Sequence, residues 1–222
     1  MYKLYYLPLH TLCRAANLVL GEKAINFSTI NEPIWNRRIE FLRINPEASL
    51  PVIIDSKGIT IVGVLNLIEY LDENKVGINL MGIDSISRLE VRRIFRWVEF
   101  KMHREVVDNI IEERVFKKIT GKGEPSSEAL KAGRINLDNH LKYFEWLLKK
   151  RTYLAGEFFS AADIIYSATL SSLDYLGEVD WIKFQYSKKW YAQIKSRPSF
   201  RVLLNEKIYD IAPPKYYNDL DF

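Results

Sequence analysis

Apolar positions in the first part of the chain alternate, bunch, and alternate again. Tyr2 to Leu7 form a β-rich run that stops at Pro8. Over residues 13–22, Ala16, Leu18 and Val19 fall at helical spacing, and Gly21 offers a stop. Residues 25–30, INFSTI, return to period two and predict a second strand. NPEASLPVIID, residues 45–55, is a proline-punctuated turn entering a buried strand, Val52 to Ile54. Ser56-Lys57-Gly58 predicts a hairpin turn, with Ile59 to Val62 as the returning strand. Leu65, Leu67, Ile68 and Leu71 then line one helical face. The order is βαβ followed by ββα, a small α/β unit with both parallel and antiparallel pairings.

The pattern lapses over 74–84, which reads as a linker, and a purely helical periodicity follows. Leu89, Ile94, Trp97, Val98, Val106, Val107, Ile110 and Ile111 predict one long helical run over 85–119. TGKGEPSSE, residues 120–128, breaks it with two glycines and a proline. A second long helix spans 128–150 and ends in Lys149-Lys150-Arg151, where cations suit the terminal dipole. A third spans 160–176. Its start carries Ser160 and Asp163 at capping-box spacing. WYAQIKS predicts a fourth before Arg197-Pro198, and Ser199 to Glu206 a last short helix. The chain shows no internal repeat and no low-complexity segment.

Composition narrows the function classes. With 222 residues, the chain is long enough for a sizeable core. A net charge of +4 is too small a surplus to argue for nucleic acid and permits mild attraction to an acidic partner. Cys13 is the single cysteine, so no internal disulfide or cysteine zinc site can form. His10, His103 and His140 are spread widely and make no metal-ligand pattern. TGKGEP lacks phosphate-loop spacing. There is no secretory signal and no apolar run long enough to span a membrane, so a cytoplasmic protein without membrane insertion is expected.

Several of these stretches occur together in one known family. NPEASLPVIID, IEYLDE, YLAGEFFSAADI and WYAQIKSRPSF, in this order, resemble the glutathione transferase superfamily over roughly residues 2–204. Pro51 stands in the place of that family's cis-proline. The resemblance implies a thioredoxin-like N-terminal domain over 1–75, a linker over 76–84 and an all-helical domain over 85–222. An extended tail would begin near 207. GEKAINF, LSSLDYLGEVDW and the ending YYNDLDF look in particular like the FtsZ-localised, glutathione-transferase-like proteins of bacterial cell division, the FzlA family.

The resemblance makes Leu50, Pro51, Gly63 and Val64 the glutathione-contacting positions. In the enzymes the last two are usually an acid followed by Ser or Thr. A carboxylate would take the ammonium of the γ-glutamyl end, and a hydroxyl at a helix N-terminus its carboxylate. Gly63 has no side chain and Val64 no hydrogen-bonding group. Each charge-assisted bond lost costs on the order of 1.5–3 kcal/mol, so two weaken binding by roughly 10²–10⁴-fold. The other reading is that Gly63 fits a tight turn and Val64 simply packs. For thiol activation the loop LPLHTLCRAA offers Thr11 and Cys13. Thr11 is otherwise a helix cap, and Cys13 a small buried hydrophobe.

Two surfaces suit a protein partner. Residues 114–134 are basic, with Arg114, Lys117, Lys118, Lys122, Lys131 and Arg134 against Glu124 and Glu128. The tail carries Tyr216, Tyr217, Leu220 and Phe222 as anchors, unless it folds back on its own domain. The resemblance implies a homodimer that binds FtsZ filaments without normal glutathione conjugation. The alternative is an active transferase conjugating glutathione to small electrophiles.

Overall fold

The protein is described by a computed structural model covering residues 1–208 and 210–220. Four strands build one sheet: β1 (Tyr2–Tyr6), β2 (Phe27–Asn31), β3 (Val52–Ile54) and β4 (Thr60–Val62), in the order β2-β1-β3-β4. β1 pairs parallel with β2, from Tyr2 opposite Phe27 to Tyr6 opposite Asn31. β3 runs antiparallel to both β1 and β4. The mixed pairing follows from the connections. The β1–β2 link holds a whole helix, α1 (Thr11–Glu22), whereas β3 and β4 are joined by a tight turn. In that turn Asp55 Oδ1 accepts from the N–H groups of Lys57 and Ile59, both at 2.8 Å, and Gly58 takes φ +86°. The Leu50–Pro51 peptide is cis.

α1 buries nine of its residues and α3 (Val64–Glu73) buries Val64, Leu67, Ile68 and Leu71, so both helices seal the sheet. Lys23 pairs with Asp72, whose Oδ2 also accepts from the N–H groups of Leu80 and Met81 at 3.0 and 2.9 Å. Between β2 and β3 lies α2 (Ile39–Ile44), which the apolar pattern does not announce because it buries only Phe41.

The chain after 84 is helical. α4 (Ser85–Arg96) starts at a capping box: Asp84 Oδ1 accepts from Ile86 and Ser87 N–H, both at 2.9 Å. The run continues as a π-helix (Trp97–Val107), α5 (Asp108–Ile111), a second π segment (Glu112–Phe116) and α6 (Lys117–Ile119). α7 (Ser127–Leu148) packs back against it at Gly133, where a Cβ would come within 2.7 Å of Ile110 Cγ1. α8 (Ala161–Tyr175) is buried along its whole length and packs on α1. Three of its hydroxyls are absorbed internally: Ser167, Thr169 and Ser171 donate to the carbonyls of Ile164, Ile165 and Ala168, whereas those of Tyr166 and Ser172 have no hydrogen-bond partner among the described residues.

The expected capping box at the head of α8 is present. Asp163 Oδ2 accepts from Ser160 N at 3.0 Å and Ser160 Oγ at 3.1 Å. Its Oδ1 accepts from Leu154 N and Trp190 Nε1, both at 3.0 Å. One carboxylate thus fixes a helix start, the preceding loop and α9 (Gln185–Lys195). α10 (Arg201–Leu204) follows a short 3₁₀ turn at Pro198–Phe200.

Candidate functional site

The loop leaving β1, where the resemblance leads one to expect thiol activation, runs from the sheet into α1 and lines a cavity together with residues of the helical unit. Leu9 adopts φ +57°, and His10 caps α1 by accepting the Cys13 N–H on Nδ1 at 3.3 Å. The cap is therefore His10, not Thr11 as the sequence suggested. The ring is held neutral, its pKa pushed down to about 4 by burial and by His103. Thr11 is the first helical residue and 1% exposed, and its hydroxyl has no hydrogen-bond partner among the described residues.

Cys13 is fully buried, and that burial pushes its thiol up to about 12. A reactive thiolate needs the opposite environment. The packing alternative holds, and the structure argues against Cys13 as a catalyst.

A cavity of about 580 Å³ opens beside this loop. Leu7, His10 and Thr11 form one wall, and Trp35 and Arg37 a second. The third comes from the π segments: His103, Val107, Glu112 and Phe116. Their spacing of four, five and four residues matches the π winding, which is interrupted by α5 between Val107 and Glu112. A helix bonded i to i+5 repeats at roughly that interval, so one face stays turned to the cavity over several turns. An α-helix would rotate it away. The same spacing is visible in the sequence, but a search tuned to 3.6 residues per turn passes over it. Trp35, His103 and Glu112 are therefore site residues that the sequence reading missed. His103 Nε2 sits 3.5 Å from Asp108 Oδ1. Glu112 is held above its ordinary value, mainly by burial.

None of Leu50, Pro51, Gly63 and Val64 is among the residues that line this cavity, although Glu47 and Ala48, just before Leu50, are. Gly63 caps α3 at φ +85° and ψ 157°, with its N–H donating to Pro51 O at 3.0 Å. No heavy atom would lie within 4 Å of a Cβ there, so backbone conformation rather than space favours glycine. Val64 is fully buried. Both halves of the packing reading are thus visible, and they coexist with the chemical one. A turn glycine and a buried valine still present no polar side-chain atom at the head of α3.

The two expected partner surfaces differ in what they leave free. Lys117 pairs with Glu113 at 2.9 Å, and Arg114 and Arg134 share Glu178 at 2.6 and 2.8 Å. Lys118 and Lys122 remain exposed, and Lys122 stands at the cavity mouth.

The tail folds back. Tyr217 is fully buried and accepts from Arg14 NH1 at 3.2 Å, so it is not the surface anchor expected of it. Arg14, itself fully buried, also donates to Ser171 Oγ and Glu206. Lys195 Nζ donates to Asp219 O at 2.6 Å, and Tyr175 OH to Ile211 O at 2.8 Å. Tyr216 is half-buried and Leu220 is 40% exposed. Phe222 lies outside the described residues.

Comparison with known proteins places these features in a family. The models for the N-terminal and C-terminal domains of glutathione S-transferase match residues 11–74 and 97–198. FtsZ-localized protein A of Caulobacter vibrioides (strain NA1000 / CB15N) is 36% identical, over 99% of this chain and 97% of its own. Among solved structures, a glutathione S-transferase from Rhodospirillum rubrum F11 superposes with a TM-score of 0.97 at 40% identity, covering all of both chains. FzlA from C. crescentus gives 0.96 at 36% identity, covering all of this chain and 99% of the other. With both domain models matched, the expected sheet and helical unit in place and near-full-length relatives of this similarity, the chain belongs to the glutathione S-transferase superfamily.

Proposed function

We propose that this chain is a homodimeric, FtsZ-binding cell-division factor of the cytoplasm that does not carry out normal glutathione conjugation. The observation that carries the second part is the head of α3, where a glycine at φ +85° precedes a fully buried valine. A zwitterionic head group finds no side-chain carboxylate and no hydroxyl there. FtsZ as the partner is supported by the full-length similarity to FtsZ-localized protein A. Exposed Lys118, Lys122 and Leu220 suit contact with an acidic or apolar surface. For the dimer, Ile83, just before the Asp84 cap, and Ile86 and Leu89 in the first turns of α4 recur every third residue and are 91, 78 and 67% exposed.

Co-sedimentation with polymerised FtsZ tests the first part. The protein is expected in the pellet, and Lys118→Glu with Lys122→Glu reduces the pelleted fraction. Absence from the pellet at low salt sinks the reading. Calorimetric titration with glutathione tests the second part, with binding weaker than micromolar expected.

The active-transferase reading keeps one specific observation in its favour. The Thr11 hydroxyl is buried, has no partner among the described residues and belongs to the wall of a cavity large enough for a small substrate. Micromolar glutathione binding, with conjugation lost in Thr11→Ala, would establish it.

A further inference from the structure

A second concavity, of about 300 Å³, lies where the end of α7 meets α9, and it shares no lining residue with the first. The sequence marks this place with Lys149-Lys150-Arg151 after α7 and Lys188-Lys189 in α9. None of these residues takes part in the cavity or in the surfaces described above.

The floor is apolar. Leu148, Tyr186 and Trp190 form it, and Tyr186 is 46% exposed. Trp190 commits its only polar atom, Nε1, to Asp163, so what it contributes to the groove is hydrocarbon. The walls are cationic: Arg151 on one side and Lys189 on the other. Arg151 is held in place by Glu90 at 2.6 Å and by Leu154 O at 2.8 Å. Lys150 lies nearby, 4.4 Å from the Trp146 ring centroid.

The neighbouring carboxylates are already engaged. Glu90 is held by Arg93 and Arg151. Glu145 accepts from Tyr186 N, Ser187 N and Ser187 Oγ, and Glu157 accepts from Thr152 Oγ1. Arg151 is balanced by Glu90, so the positive field at the groove comes from exposed Lys189 in its lining and from exposed Lys149 and Lys150, which precede Arg151.

We propose that this groove binds an acidic peptide segment of a partner protein through one aromatic or leucine anchor. The volume fits a single large side chain, and the cations flank it on both sides, as hot-spot pockets with charged rims do. A concave seat of this size suits an anchored segment better than a flat lipid surface. Thr152 and Gln193 also line it; their donors are engaged by Glu157 and Tyr153 OH, which leaves Thr152 Oγ1 and Gln193 Oε1 as acceptors for a peptide N–H. The inference rests on neither the glutathione nor the FtsZ reading.

Fluorescence polarisation with a labelled peptide of Asp and Glu around one central Phe tests it on the intact protein. Binding is expected at low salt. It should weaken about tenfold or more in Lys150→Glu/Lys189→Glu, and similarly when the probe's Phe becomes Ser. Thr152→Trp, an exposed substitution that fills the groove, should also weaken it, whereas Lys118→Glu should not. No binding at low salt, equal loss in Lys118→Glu, or indifference to the Phe overturns the proposal. Retention on phosphatidylglycerol vesicles with no peptide binding overturns it too, in favour of a membrane surface.

Discussion

Residue by residue, the site loop depends on one imidazole. His10 Nδ1 already accepts the Cys13 N–H, so a proton there would break the cap of α1. Its native pKa, about 4, lies below the ordinary 6.5. As pH falls, the unfolded chain takes up the proton first, and stability declines between pH 6.5 and 4. His103 and His140 are held low as well, chiefly by burial, and add in the same direction. His10→Asn keeps a cap acceptor and removes the titration. Urea unfolding followed against pH should then show a shallower slope, by up to about 1.4 kcal/mol per pH unit. An unchanged slope would mean that His10 charges freely in the native state. The sequence placed this loop correctly but put the cap at Thr11, because hydroxyl residues dominate cap preferences and the backbone angles that seat a histidine there are not written in the residue string.

At the level of elements, most of the architecture was legible. All four strands, α1, α3, α7 and α8 appear where periodicity placed them, within a few residues, and α9 is present but starts at Gln185, five residues before the expected Trp190. The Ser160–Asp163 spacing read correctly because a capping box is wholly local. What escaped depended on distance or on an unfamiliar period. The π winding of 97–107 has its own spacing, and α2 buries one residue. The tail's fold-back rests on Arg14, 203 positions from Tyr217, and no local pattern reports that. Its energetics are testable. Tyr217→Ala removes a fully buried ring and strips Arg14 of a partner, and should cost about 3–5 kcal/mol in chemical denaturation. Leu220→Ala, at a 40% exposed position, should cost less than about 0.5 kcal/mol. If the tail serves FtsZ, Leu220→Ala lowers the pelleted fraction at unchanged stability.

Over the whole molecule, α1 belongs to the sheet by sequence and to the helices by contact. Glu22 binds Arg197 NH2 at 2.6 Å and Ser199 Oγ at 2.5 Å, while Arg14 reaches Glu206, Ser171 and Tyr217. With both ends of one helix anchored across the junction, unfolding should be a single transition. The uncovered start of α4 is the opposite case. Leu89→Arg places a charge in the proposed dimer face and touches no buried packing. Sedimentation velocity at micromolar concentration should show the parent as a dimer and this variant as a folded monomer with the parent's far-ultraviolet circular dichroism, its melting temperature lowered only by the lost dimer linkage. A monomeric parent would end the dimer proposal.

Cys13 has a use that follows from its seclusion. It is the chain's only thiol, lies at zero exposure on the helix that joins the two halves, and ionises only near pH 12. A maleimide should leave the native protein unmodified and react only while α1 is lifted from its seat. The alkylation rate is then a clock for how often the halves part, readable by mass spectrometry without adding any label site.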